Sequence, residues 1–216
     1  MVDARWIDEA LDSLAGRYPR LSPLRAALST AAWILIEAYQ ARGKLLVCGN
    51  GGSAADADHI VGELMKSFVV PRPVCREFRD RLAAVEPAIG GRIAAALQTG
   101  LPAIALAQHT ALVTAFSNDV DPSMAFAQQV AGYGAAGDVF WGLTTSGNSK
   151  NVLYAAVTAR AMGMKVIGLT GAGGGALASY CDVCLAVPET ETYKVQELHL
   201  PVYHAICLAV EKTLFS

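Results

Sequence analysis

No run of like charges interrupts this sequence, and 17 Lys and Arg residues against 19 Asp and Glu leave a net charge of −2. A general nucleic-acid binder needs a basic stripe to neutralise phosphates, so nucleic acid is not an expected partner. Also lacking is an unbroken apolar run of about 18 residues, the length that a membrane-spanning helix requires. The opening residues, MVDARWIDEALDSL, alternate acidic and apolar groups at helical spacing. They do not follow the basic, then apolar, then small-residue order of a secretory signal, and the expected location is the cytoplasm. Cysteine is sparse and odd in number. Cys48, Cys75, Cys181, Cys184 and Cys207 lie scattered in apolar surroundings, which points to reduced core thiols. Cys181 and Cys184 form one CxxC with no second pair, so zinc or redox chemistry is not expected there. No repeat, low-complexity linker, Walker lysine or dinucleotide fingerprint is present.

What is there is apolar and alternating. A chain of 216 residues with 53% hydrophobic and 17% charged content can bury a full core, and it is expected to form one domain over 1–216. The pattern predicts helices over 2–15 and about 23–41, the second ended by Gly43. Five short apolar runs follow, each bounded by Gly, Pro or polar residues: KLLVCG (44–49), PAIALA (102–107), GDVFWGL (137–143), MKVIGLT (164–170) and CDVCLAV (181–187). Most have helical stretches between them, the signature of a parallel sheet covered on both faces. Residues 69–100 fit this rhythm least and are expected to be a helical insertion between the first two strands. A final helix is predicted over about 192–214, with Pro201 inside it removing one backbone bond.

Ligands of open parallel sheets sit at the carboxyl ends of the strands, and here the turns after three strands are rich in Gly, Ser and Thr. GNGGS (49–53) follows the first strand, with glycines that let a ligand approach the backbone and Ser53 at the helix start. It suits an anion, and equally a tight turn with a capped helix. TTSGNS (144–149) offers four hydroxyls immediately before a helix. Two such loops at neighbouring strand ends suggest a sugar phosphate as ligand. His59 and Glu63 lie about 40° apart around one helix and one turn apart along it, so they share a face. Their spacing suits one metal ion, one proton-transfer pair, or a solvated surface pair. VQELHLPVYH places Gln196, Glu197, His199 and His204 in the last helix, so three of the four histidines lie in two helices.

With these motifs in order, CGNGGSAADADHIVGEL, PAIAL, FSND, GDVFWGLTTSGNSKNV, GMKVIGLTG and QELHLPVYH, the sequence resembles the phosphoheptose isomerase family of the SIS (sugar isomerase) fold. The resemblance implies a three-layer α/β sandwich with a five-stranded parallel, flavodoxin-like sheet. It implies conversion of D-sedoheptulose 7-phosphate to D-glycero-D-manno-heptose 7-phosphate through an enediolate. It also implies a zinc site from His59, Glu63, Gln196 and His204, and substrate contacts from Asn50, Gly51, Gly52, Ser53, Glu63, Asn118, Asp119, Thr144, Thr145, Ser146, Ser149 and Gln196. Members usually form homotetramers with active sites between subunits, for which the amphipathic first helices would be natural packing elements. Glu63 and His204 are the candidates for proton transfer. The other reading is a non-catalytic SIS module that binds a sugar phosphate or a protein partner, which has no chemical need for the complete four-residue set.

In one regular helix Gln196 and His204 would be roughly 12 Å apart along the axis. Three arrangements would reconcile them: Gln196 lies before the helix becomes regular, the two side chains stretch toward each other, or two subunits contribute. Three departures from the family pattern bear on the substrate. Ser67, with Lys66 beside it, stands where an Arg is common, Tyr193 where an Asp precedes the glutamine, and His109 where an Asp follows the PAIAL strand.

Overall fold

The computed structural model describes residues 5–216. The first two predicted helices form as α1 (Arg5–Arg17) and α2 (Arg25–Gln40), joined by a 3-10 turn over Pro19–Leu24; positions 2–4 of the first prediction lie outside the described residues. The turn after α2 is made by Arg42 (φ 63°), not by the expected Gly43, whose amide instead donates to Ala38 O at 2.7 Å.

All five apolar runs become strands: β1 (Leu45–Cys48), β2 (Ala103–Ala105), β3 (Val139–Thr144), β4 (Lys165–Thr170) and β5 (Val183–Ala186). Among the described residues they form one parallel sheet in the order β2-β1-β3-β4-β5. Strand residues alternate between two cores, as a period of two requires. Leu45, Val47, Val139, Trp141 and Leu143 face one side, where α1, α2 and two further helices, α3 (Gly52–Met65) and α9 (Thr192–Phe215), cover them. Leu46, Cys48, Phe140 and Val166 face the other, under α7 (Ala125–Tyr133) and α8 (Lys150–Ala161). Burial on both faces explains why the strands read as unbroken apolar runs.

The expected insertion is a helical hairpin, α4 (Arg76–Val85) and α5 (Pro87–Ala96), whose ends are brought together by a bridge between Pro73 and Gln98. A further helix, α6 (Thr110–Asp119), follows β2. α9 runs unbroken through Pro201. The apolar stripe of α1 (Ile7, Ala10, Leu11, Leu14) is buried against the rest of this protomer. It is therefore not free to serve as the subunit-packing face expected of it, because α9 already covers it. Of the five cysteines, all free, only Cys48 and Cys207 are buried; Cys75 is exposed and Cys181 and Cys184 are half-buried, so the expectation of core thiols holds for two. No helix of the described residues is long and apolar enough to cross a membrane.

Candidate active site

In a sheet of order 2-1-3-4-5, the direction in which strands are added reverses between β1 and β3, and the crevice beyond their carboxyl ends is where ligands bind. A cleft of about 340 Å³ lies there, lined by Asn50, Gly51, Gly52, Ser53, Thr144, Thr145, Ser149, Thr192 and Gln196 among others. Two helices begin at it. α3 has Gly51 at its N-cap and α8 has Ser149, and neither of these two residues supplies a side-chain capping bond. The positive ends of both helix dipoles thus face the cleft, although the amides of Ser53 and Ala54 donate to the carbonyl oxygens of Asn50 and Gly51 and that of Val152 to Asn151 Oδ1.

The loops at these helix starts are held by their own side chains. Gly51 adopts φ 55°, which needs glycine. Thr144 and Ser149 share a hydroxyl hydrogen bond of 2.9 Å. Ser146 is exposed, and its hydroxyl accepts from Asn148 N at 3.1 Å, so this predicted contact shapes the loop and does not line the cleft. Asn50 exchanges two hydrogen bonds with Asn151, of 3.0 and 2.8 Å, which tie the β1 loop to α8. Asn151 and Thr192 were not expected at the site; only their neighbours in space identify them.

A second cluster lies further along the seam between α3 and α9. His59 Nε2 is 3.0 Å from Glu63 Oε1, and His204 Nε2 is 3.4 Å from His59 Nε2. The donor atoms of these three residues all lie within 4.8 Å of one another. Two imidazoles and a carboxylate are groups that zinc accepts, so the residues fit such an ion. Lys66 reaches Glu63 Oε2 at 3.1 Å. Burial, then the neighbouring His59 charge, hold the His204 imidazole below its usual value. Tyr203 Oη contacts His59 Nδ1 at 2.9 Å and donates to Asp56 Oδ1 at 3.3 Å, two contacts that sequence reasoning missed.

Gln196 is not part of this cluster in the protomer. It is the fifth residue of α9, so the helix is already regular there, contrary to one of the three arrangements expected. Its amide packs on Gly52, seven residues and roughly 10 Å along α3 from His59. Asn118 and Asp119 are exposed at the end of α6, where Asn118 Nδ2 donates to Asp119 Oδ1 at 2.8 Å, and they do not line the cleft.

The SIS domain model matches residues 11–80 and 81–171. The chain is 40% identical to the phosphoheptose isomerase of Rhodospirillum rubrum, over 91% of each chain. It is 38% identical to that of Roseiflexus sp., over 98% of this chain and 95% of the relative. The chain belongs to the phosphoheptose isomerase family. The solved phosphoheptose isomerase from Neisseria gonorrhoeae superposes with a TM-score of 0.73 at 33% identity, covering 93% of this chain and 94% of that one. That from Francisella tularensis does so with a TM-score of 0.72 at 32% identity, covering 94% and 92%.

Within this phosphoheptose isomerase fold, the three departures stand apart from the cleft lining. Ser67 accepts from Arg72 N at 3.1 Å and its own amide donates to Gln98 at 2.7 Å, so it braces the start of the insertion. His109 packs its ring on Tyr133, 5.4 Å away. Tyr193 is 57% exposed at the start of α9, with Lys194 over its ring. Lys66 donates to Glu63 Oε2, while His59 lies against Oε1.

Proposed function

We propose that this protein isomerises D-sedoheptulose 7-phosphate to D-glycero-D-manno-heptose 7-phosphate, in the cytoplasm and as a homotetramer. The observation that carries the reading is the placement of two sites on one seam. A hydroxyl-lined cleft of about 340 Å³ sits at the N-termini of α3 and α8, and the His59–Glu63–His204 cluster lies further along α3 and α9. Six residues of helix separate Ser53 from His59, roughly 9 Å. A phosphate on the seventh carbon and a reaction at the first and second require such a separation.

The chain's own groups then divide the work. The positive N-terminal ends of α3 and α8, with the hydroxyls of Ser53, Thr144, Thr145 and Ser149, hold the phosphate. Glu63, its carboxylate steadied by His59 and Lys66, takes the proton from the carbon beside the carbonyl and returns it to the neighbouring carbon. His204, favoured in its neutral form, is placed to move the proton between the sugar oxygens. His59, Glu63 and His204, with Gln196 as the fourth expected ligand, would hold a zinc ion, and such an ion would supply Lewis-acid stabilisation of the negative charge that develops on those oxygens. The distance of Gln196 from the other three, and of Asn118 and Asp119 from the cleft, supports sites completed between subunits.

The test is turnover. Zinc-loaded protein incubated with sedoheptulose 7-phosphate should yield the aldose by NMR. Glu63→Gln and His204→Ala should lower kcat by roughly 10²- to 10⁴-fold, whereas Ser149→Ala should act mainly on KM. No product from the unmodified protein would favour a non-catalytic phosphosugar module; equal turnover in the variants would reject the residue assignment.

A further inference from the structure

The ladder between β1 and β3 ends at Cys48 and Gly142, yet both segments run on to form the cleft. Beyond that point the β1 loop and the start of α8 are joined by a pair of carboxamides. Asn50 Nδ2 donates to Asn151 Oδ1 at 3.0 Å, and Asn151 Nδ2 donates to Asn50 Oδ1 at 2.8 Å. Asn151 Oδ1 also accepts from Val152 N at 3.0 Å. The loop before α8 is held on its other flank by the connection after β4, where Leu177 N donates to Gly147 O at 2.9 Å and Ala176 N to Asn148 Oδ1 at 3.0 Å.

A backbone N–H can only donate, so the bond from Val152 fixes which end of the Asn151 carboxamide is its oxygen. Asn151 Nδ2 is then turned to Asn50, whose own amide has one orientation that satisfies both bonds. A carboxamide carries two N–H groups and two acceptor sites, so the pair uses half of what Asn50 offers. Asn50 lines the cleft and Asn151 does not. One N–H of Asn50 therefore stays available to a ligand oxygen, and its direction is set by a residue that the ligand does not touch. We propose that Asn151 is a positioning residue for phosphosugar binding, which holds the Asn50 carboxamide in one orientation and the β1 loop at a fixed distance from the start of α8. The inference rests on the phosphosugar reading of the cleft for its functional meaning. Asn50 is exposed and Asn151 half-buried, so the pair exchanges readily with water, adds little to stability and acts mainly on binding.

Kinetics of the full-length protein with sedoheptulose 7-phosphate, and calorimetry with inorganic phosphate, test this. Asn151→Ala should raise KM and the phosphate Kd about 3- to 10-fold, the worth of an intramolecular hydrogen bond, with a smaller change in kcat. Asn50→Ala should do at least as much, and adding Asn151→Ala to it should change nothing further, because Asn151 acts through Asn50. A residue that merely supports α8 would give additive effects. Asn151→Asp keeps the bond to Val152 and loses the donation to Asn50, which covers the case in which Asn151→Ala loosens α8. The part of its effect on KM that vanishes in the Asn50→Ala background is the positioning part; repulsion between the new charge and phosphate persists there. If the unmodified protein neither binds phosphate nor turns over the sugar, the phosphosugar reading fails, and NMR of the Asn50 side-chain amide still decides the pair. One Nδ2 proton should be shifted by hydrogen bonding and should revert in Asn151→Ala. Additive effects of the two alanine substitutions on KM, or an Asn50 amide signal indifferent to Asn151→Ala, would overturn the inference.

Discussion

The chain's histidines divide by environment, and chemistry follows from that division. His59 and His204 are partly exposed and face each other, whereas His199, on the same helix as His204, is wholly buried. Burial pushes the His199 imidazole down to about 4 against the opposing pull of the Thr170 backbone. As pH falls, the unfolded chain takes up this proton first. The contribution is therefore present above about pH 6.5 and lost progressively toward pH 4, on the order of 3 kcal/mol in all. Urea unfolding between pH 7 and 4.5 should show a shallower loss of stability for His199→Leu than for the unmodified protein; parallel curves would refute this. Three histidines in two helices were visible in the sequence, but which ones face the seam depended on the turn of α9 against the sheet. That residues of GNGGS and TTSGNS line one cleft was legible because each stands within a few residues of its own strand end. Ser146 was the exception, since its hydroxyl turns back onto Asn148.

At the scale of elements, the loops between strand and helix tolerate substitution according to what stands opposite them. A Cβ on Gly147 (φ 69°) would lie 2.1 Å from the carbonyl oxygen of Gly174, which cannot yield because it is backbone. A Cβ on Gly52 would lie 2.7 Å from Gln196 Nε2, the far end of a flexible side chain, and the Gly52 backbone is helical. Gly52→Ala should therefore leave stability unchanged or raise it by up to about 1 kcal/mol, the helix-propensity difference. The displaced Gln196 amide enters the cleft, so KM for the phosphosugar should rise about tenfold, equivalent to ~1.4 kcal/mol. Thermal unfolding and steady-state kinetics together check this, and a fall in Tm with unchanged KM would show that Gln196 does not move. The strands were legible because burial on both faces leaves them no polar positions. The insertion was recognisable as helical but not as a hairpin, because the contact between Pro73 and Gln98 that closes it joins residues far apart in sequence.

For the whole molecule, the seam depends on a buried ion pair that no local pattern announces. Arg72 Nε lies 2.9 Å from Glu211 Oε1, with their side chains 0% and 1% exposed. Arg72 also donates to the carbonyl oxygens of Leu64 and Glu63, both at 2.8 Å. Glu211 accepts from the amides of Phe68 and Val69 at 2.7 Å and of Val70 at 3.0 Å. The pair thus locks the end of α3, which carries Glu63, to α9, which carries His204, and seats the Phe68 ring 5.4 Å from that of His204. Removing one buried charge strands the other, so Glu211→Gln should cost about 3–5 kcal/mol in urea unfolding. A cost below about 1 kcal/mol would show that the loop amides, not the charge of Arg72, are what Glu211 satisfies. By itself the sequence determined the class of fold and the place of the Gly-, Ser- and Thr-rich loops at the strand ends, because periodicity and turn chemistry are short-range properties. Tertiary structure alone decided that His59 and Glu63 meet His204 and not Gln196, that Tyr203 and Asp56 stand behind His59, and that the first helix is covered within the protomer. Those outcomes depend on how α9 lies across α3 and the sheet, and the energies that set that crossing come from residues more than a hundred positions apart.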